Sequence, residues 1–208
     1  MAVILASILF LSGVKALYGV EYVFLLKWGS FGSGDGQLYY PRNVALDNEG
    51  YVYVADTDNH RVQKFNGSGV FVTKWGGWGW DDGQFIYPLD VAVNSEGNVY
   101  VVDMANCRVQ KFSSSGDFIT KWGSYGSGDG QFRVPAGVGV DDQGNVYVTD
   151  HENHNVQKFT DNGTFLLKWG SQGSDNGQLN SPRGVAVSKQ GYVYVVDQQN
   201  FRVQKFTD

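Results

Sequence analysis

Four aspartates recur at one spacing, Asp56, Asp103, Asp150 and Asp197, and each is followed three residues later by an asparagine: Asn59, Asn106, Asn153 and Asn200. Carboxylates at the same place in every unit of a repeat could ring a divalent cation, the chemistry that a metal-dependent lyase or lactonase needs. The same pair has a plainer use, because Asp and Asn side chains accept from backbone amides in tight turns. Presence in all four units favours the turn. The glycine-rich stretches 32–36, 79–83, 126–130 and 173–177 invite a phosphate or calcium loop. No Gly-Lys-Ser/Thr follows them, and the spaced acids and closing glutamate of a calcium loop are missing. Of the three histidines, His60 and His154 keep the repeat phase two units apart and only His151 departs from it, so convergence on a zinc ion is not expected. Cys107 stands alone, which excludes an internal disulfide and a cysteine-based zinc site. This reading assigns no catalytic residue, no metal and no cofactor.

The elements that position these residues repeat every 47 residues. Lys-Trp-Gly begins at Lys27, Lys74, Lys121 and Lys168; Val-Gln-Lys-Phe ends at Phe65, Phe112, Phe159 and Phe206; the four prolines are Pro41, Pro88, Pro135 and Pro182. A fixed period of this length means a solenoid, propeller or array. Within one unit, the apolar run after Pro41, then 51–55, 61–65 and 70–75, are β-branched or aromatic and are separated by turn residues such as Asn48-Glu49-Gly50 and Asn66-Gly67-Ser68-Gly69. Four short antiparallel strands per unit is the blade of a β-propeller. The predicted fold is therefore all-β, a four-bladed β-propeller. The segment 22–28 matches a fourth strand (69–75), and the chain stops after a third, so the N-terminal strand is expected to close the C-terminal blade.

Composition bounds the function. A net charge of −5 argues against a nucleic-acid partner, and eight lysines on two in-phase positions (27, 74, 121, 168 and 64, 111, 158, 205) read as solvated strand-face charges. Residues 2–14 are almost wholly apolar but too short to span a bilayer, so no membrane span is expected. Residues 1–16 resemble a signal peptide with small residues Val14 and Ala16 before a cleavage site, although the n-region lacks Lys and Arg. This divides the chain into a leader, 1–16, and one propeller domain, 17–208, secreted or extracytoplasmic and monomeric. The alternatives for the leader are a start-codon artefact or an edge strand, with a cytoplasmic protein.

The segments Pro-Arg-Asn-Val-Ala-Leu-Asp (41–47), Gly-Tyr-Val-Tyr-Val-Ala-Asp (50–56) and Asn-His-Arg-Val-Gln-Lys-Phe (59–65) resemble the NHL repeat. The Asn-His-Arg core drifts to Asn106-Cys107-Arg108, Asn153-His154-Asn155 and Asn200-Phe201-Arg202, and the resemblance covers residues 22–206. It implies the propeller. NHL propellers are appended to ubiquitin ligases, bacterial sensor kinases and an amidating lyase, and many stand alone, so the resemblance implies no activity here.

What breaks the repeat is the candidate for specificity. In-phase positions of the blade connections read Phe31, Trp78, Tyr125, Gln172 and Ser33, Trp80, Ser127, Ser174. Before the prolines stand Tyr39-Tyr40, Ile86-Tyr87, Arg133-Val134 and Asn180-Ser181; after them, Arg42, Leu89, Ala136 and Arg183. The connections and the turns between second and third strands should share one face. Aromatic and Arg enrichment marks protein interfaces. Trp78, Trp80, Tyr40, Arg42, His151 and Arg183 are therefore the expected ligand-binding residues of a non-catalytic scaffold for a protein or peptide. The alternatives are glycan binding by the same aromatics and a metal-dependent lyase or lactonase.

Overall fold

A computed structural model describes residues 14–15 and 21–207. After two short strands, β1 (Val14–Lys15) and β2 (Glu21–Tyr22), every element belongs to a repeat. The first blade is β3 (Pro41–Leu46), β4 (Val52–Asp56), β5 (Arg61–Phe65) and β6 (Phe71–Gly76); the second is β7 (Pro88–Val93), β8 (Val99–Asp103), β9 (Arg108–Phe112) and β10 (Phe118–Trp122). The third is β11 (Pro135–Val140), β12 (Val146–Asp150), β13 (Asn155–Phe159) and β14 (Phe165–Trp169); the fourth is β15 (Pro182–Val187), β16 (Val193–Asp197) and β17 (Arg202–Phe206). Each blade is an antiparallel meander in chain order, and the expected four-bladed propeller of NHL-like repeats is present.

The middle strands β4, β8 and β12 are buried on both faces, which is why they are continuous Val/Tyr runs rather than alternating ones. Inner strands pack in series, β3 on β7, β7 on β11 and β11 on β15. Each joint combines the trailing face of one blade with the leading face of the next: Tyr53, Ala55 and Val62 meet Val91, Val99, Val101 and Phe112, and Tyr100, Val102 and Val109 meet Val138, Val146, Val148 and Phe159. The repeated tryptophans pack across these joints, Trp75 against Phe112 at 5.8 Å and Trp122 against Phe159 at 5.8 Å.

Two expectations need correction. The last sheet holds three strands among the described residues, and segment 22–28 does not complete it. Trp28 instead packs on Phe65 of the first blade at 6.0 Å, the contact that Trp75 makes on Phe112. A tryptophan closing one sheet is thus held by the next blade, and segment 22–28 stays at the first blade's side. The other correction concerns the lysines. Lys74, Lys121 and Lys168 are exposed or partly so and pair with Asp35, Asp82 and Asp129. Lys64, Lys111 and Lys158 are buried, with their ammonium groups over Tyr53, Tyr100 and Tyr147. Ring quadrupoles accept a cation that alternation alone would send to water. Of the expected leader 1–16, only Val14–Lys15 lie within the described residues, paired with Glu21–Tyr22.

Candidate functional site

The connection loops are shaped by the aspartates. Asp56 accepts from the Tyr39 amide (2.7 Å), Asn59 Nδ2 (2.9 Å), Arg61 Nε (2.7 Å) and Gln63 Nε2 (2.9 Å). Asp103 repeats this with the Ile86 amide, Asn106, Arg108 and Gln110. The Arg108 guanidinium then donates to the carbonyls of Trp80, Asp81 and Gln84. One buried carboxylate therefore fixes one arginine, and that arginine fixes the loop displaying Trp80. The carboxylates are committed to Asn, Arg, Gln and backbone donors, and no group of three or more His, Cys, Asp or Glu among the described residues is placed to hold a metal ion.

The connections and the second-to-third strand turns do share a face. The amides of Asp58, Met104, His151 and Gln199 donate to the carbonyls of Tyr39, Tyr87, Val134 and Asn180. His60 and His154 are structural: each Nδ1 accepts the amide of the residue before the next blade's proline, Tyr87 and Ser181. Cys107, in the same slot, is buried with Sγ on the Arg133 carbonyl. These three residues and Phe201 all have φ near +50°, closing the turn.

Two groups emerge from the six expected binding residues. Trp78 and Trp80 form an edge-to-face pair with ring centroids 4.6 Å apart, 58% and 62% exposed. Tyr40 is also exposed and heads a run of aromatics, Tyr40 on Tyr39 at 5.2 Å and Tyr39 on Phe31 at 5.1 Å. Its φ of 47° is strained for a bulky residue, and Pro41 follows directly. Arg42, His151 and Arg183 come together elsewhere, in a cleft of about 230 Å³ where the inner strands begin. Leu89, Ala136, Met104, Val134 and Glu152 complete its wall. Burial and the nearby Arg183 charge push the His151 imidazole below its ordinary range, so it is neutral at pH 7. Arg183 Nε donates to Gln198 Oε1 at 2.8 Å, which fixes its direction. Met104 and Glu152 also converge on this cleft; Met104 holds the place of His151 one repeat earlier and Glu152 follows His151 in the same turn, which was the available signal in the sequence.

Comparison with known proteins identifies the repeat. A family model described as NHL repeat matches residues 38–65, 85–112, 132–159 and 179–206, together more than half of the chain. The E3 ubiquitin-protein ligase TRIM71 of Rattus norvegicus is 47% identical over 45 residues, 22% of this chain and 5% of that protein. Protein brain tumor of Drosophila melanogaster is 39% identical over 49 residues, 24% of this chain and 5% of that protein. The matched stretch is about one repeat long and a small fraction of either relative. A streptogramin B lyase superposes with a TM-score of 0.61 at 15% identity over 81% of this chain and 54% of its own. A structural genomics protein of unknown function from Bacteroides thetaiotaomicron gives 0.64 at 20% identity, over 79% of this chain and 46% of its own. At these identities the likeness is one of fold.

Proposed function

This chain belongs to the NHL-repeat family, and from that premise we propose that it is a non-catalytic binding module whose connection face holds a protein or peptide partner. The observation that carries the reading is the exposed Trp78–Trp80 pair on a loop fixed from beneath by the buried Asp103–Arg108 pair. Exposed aromatics on a rigid support lose little conformational entropy on binding and are the usual anchors of protein interfaces. Arg42 and Arg183, open to the axial cleft, favour a segment that also carries an acidic group. The matches to TRIM71 and brain tumor protein cover 45 and 49 residues, 5% of each of those proteins, and the activities of those proteins are not carried over.

The test is selection from a random-peptide display library, with wild type beside a Trp78→Ala/Trp80→Ala variant and an Arg42→Ala/Arg183→Ala variant. Wild type should enrich peptides combining aromatic or aliphatic side chains with Asp or Glu. The tryptophan variant should bind them about 30-fold or more weakly, the loss of an interface hot spot, with an unchanged far-ultraviolet spectrum. Equal enrichment on wild type and the tryptophan variant, or none on either, would sink the reading.

We extend the proposal to location: residues 1–16 direct export. Expression in a secreting host should place the protein in the medium with its N-terminus at Leu17. Intact Met1 on an intracellular product would refute this.

A further inference from the structure

We propose that two copies of this chain join head to tail, the fourth blade of each against the first blade of the other, to close a ring of eight blades. The two ends of the array are the halves of a joint that the chain already makes three times. On the trailing face, Val62, Val109 and Val156 are fully buried, whereas the in-phase Val203 is 63% exposed. Tyr194, Val196 and Phe201 surround it and are exposed as well. On the leading face, Val91 and Val138 are 3% and 4% exposed, whereas the in-phase Val44 is 53% exposed, with Leu46 open beside it. An apolar face left open at each end of one chain is complementary to the other end, not to itself, so the contact is head to tail and closes after two copies when the rotation allows.

The outer strand repeats the argument. β17 has no outer neighbour among the described residues, an open edge that templates pairing. Trp28 already sits on the first blade as Trp75 sits on the second, and a Cβ on Gly69 would meet its ring as one on Gly116 would meet Trp75. The first blade thus carries the outer strand of a blade that precedes it. In complete blades Val62 stands opposite Trp75 and Gln63 opposite Lys74. Three repeats onward, that register sets Val203 opposite Trp28 of the partner subunit. Eight blades lie within the range that propellers use.

The test is native mass spectrometry with light scattering over a concentration series, on this chain, on Val203→Arg and on Val44→Glu. Both substitutions fall on residues exposed in the single copy, and matching thermal melts of the separated variants would verify their folding. Wild type should run at twice the 23.0 kDa chain mass, and each variant at the single mass. An equal mixture of the two variants should recover the double mass, because one of its two joints is built from unaltered faces. A wild-type particle that stays at the single mass, including one closed on itself, would overturn the proposal. So would three or more copies, variants that remain double, or a mixture that stays single.

Discussion

Asp103→Ala should lower the unfolding free energy by about 3–5 kcal/mol, the range for removing one partner of a buried ion pair. Asp103 is fully buried and Arg108 is 6% exposed, their N–O distance being 2.7 Å. Burial pushes the Asp103 carboxyl above its ordinary range, against the bonds from Asn106, the Ile86 amide and Arg108 that pull it down. The loss is therefore dominated by the guanidinium left without a counter-charge, together with the orphaned donors of Ile86, Asn106 and Gln110. On the single-copy Val44→Glu background, the in-phase Asp197→Ala should cost less, about 1–2 kcal/mol, because there its partner Arg202 is 29% exposed and water can replace the carboxylate. There the bonds from Asn180, Asn200, Arg202 and Gln204 outweigh the burial penalty and hold the carboxyl below its usual range. Urea unfolding followed by tryptophan fluorescence would measure both. Equal costs at the two positions would show that the open face of the fourth blade gives water no access to the pair. In the Asp103 variant the loop of Trp80 loses its anchor as well, so the library selection proposed above should fail on it too.

The repeat made the blades legible because one pattern was read four times. The order of strands within a blade and the pairing of connections with second-to-third strand turns followed from in-phase Pro, Asp and Phe residues. The reading failed where a residue's role depends on a neighbour from another unit. Lys64 and Lys111 looked solvated because alternation along β5 and β9 carries no information about the tyrosine rings beside them or the Ser114 carbonyl and Asp161 carboxylate of the next blade. The aspartates were correctly placed in turns, but their principal partners, Arg61, Arg108 and Arg202, lie five residues on, across a left-handed turn residue that sequence spacing does not reveal. Closure by segment 22–28 was inferred from phase alone. Phase identifies an outer strand but not which blade holds it; that depends on packing between units, as of Trp28 on Phe65 and of Gly137 and Gly139 against the carbonyls of Arg183 and Val185. Among the expected binding residues, sequence departure marked both the aromatic group and the cleft group, but gave no sign that they form two clusters.

Asp90 should contribute stability to this protein that falls as pH rises from about 4 to above 6. That residue breaks an inner-strand column of Asn43, Asp90, Gly137 and Gly184, and it is buried. Its Oδ1 accepts the Val91 amide and its Oδ2 the Val138 amide of the next blade, both at 2.8 Å. Burial raises its pKa to about 6, against those two bonds and one from the Asn43 side chain. The unfolded chain titrates near 3.9. Because the folded value is the higher one, the native state binds the proton more tightly between the two. The contribution is therefore full below the unfolded value and is lost as pH passes through the folded value. A displacement of about two units corresponds to about 3 kcal/mol at neutral pH. Asp90→Asn isolates the effect. Asn43 shows that an amide fits this strand position, with its Oδ1 accepting the following amide of Val44, so the bond to Val91 survives. The bond to Val138 does not, because the substituted NH₂ would face an N–H. The variant should thus be about 1–3 kcal/mol weaker than wild type at pH 4.5 and should close much of that gap by pH 7.5, with a flatter profile throughout. Unfolding free energies in urea at half-unit pH steps would decide it: parallel profiles for the two proteins would mean that Asp90 is ionised in the native state across the whole range, its charge carried by the two amides and the Asn43 side chain.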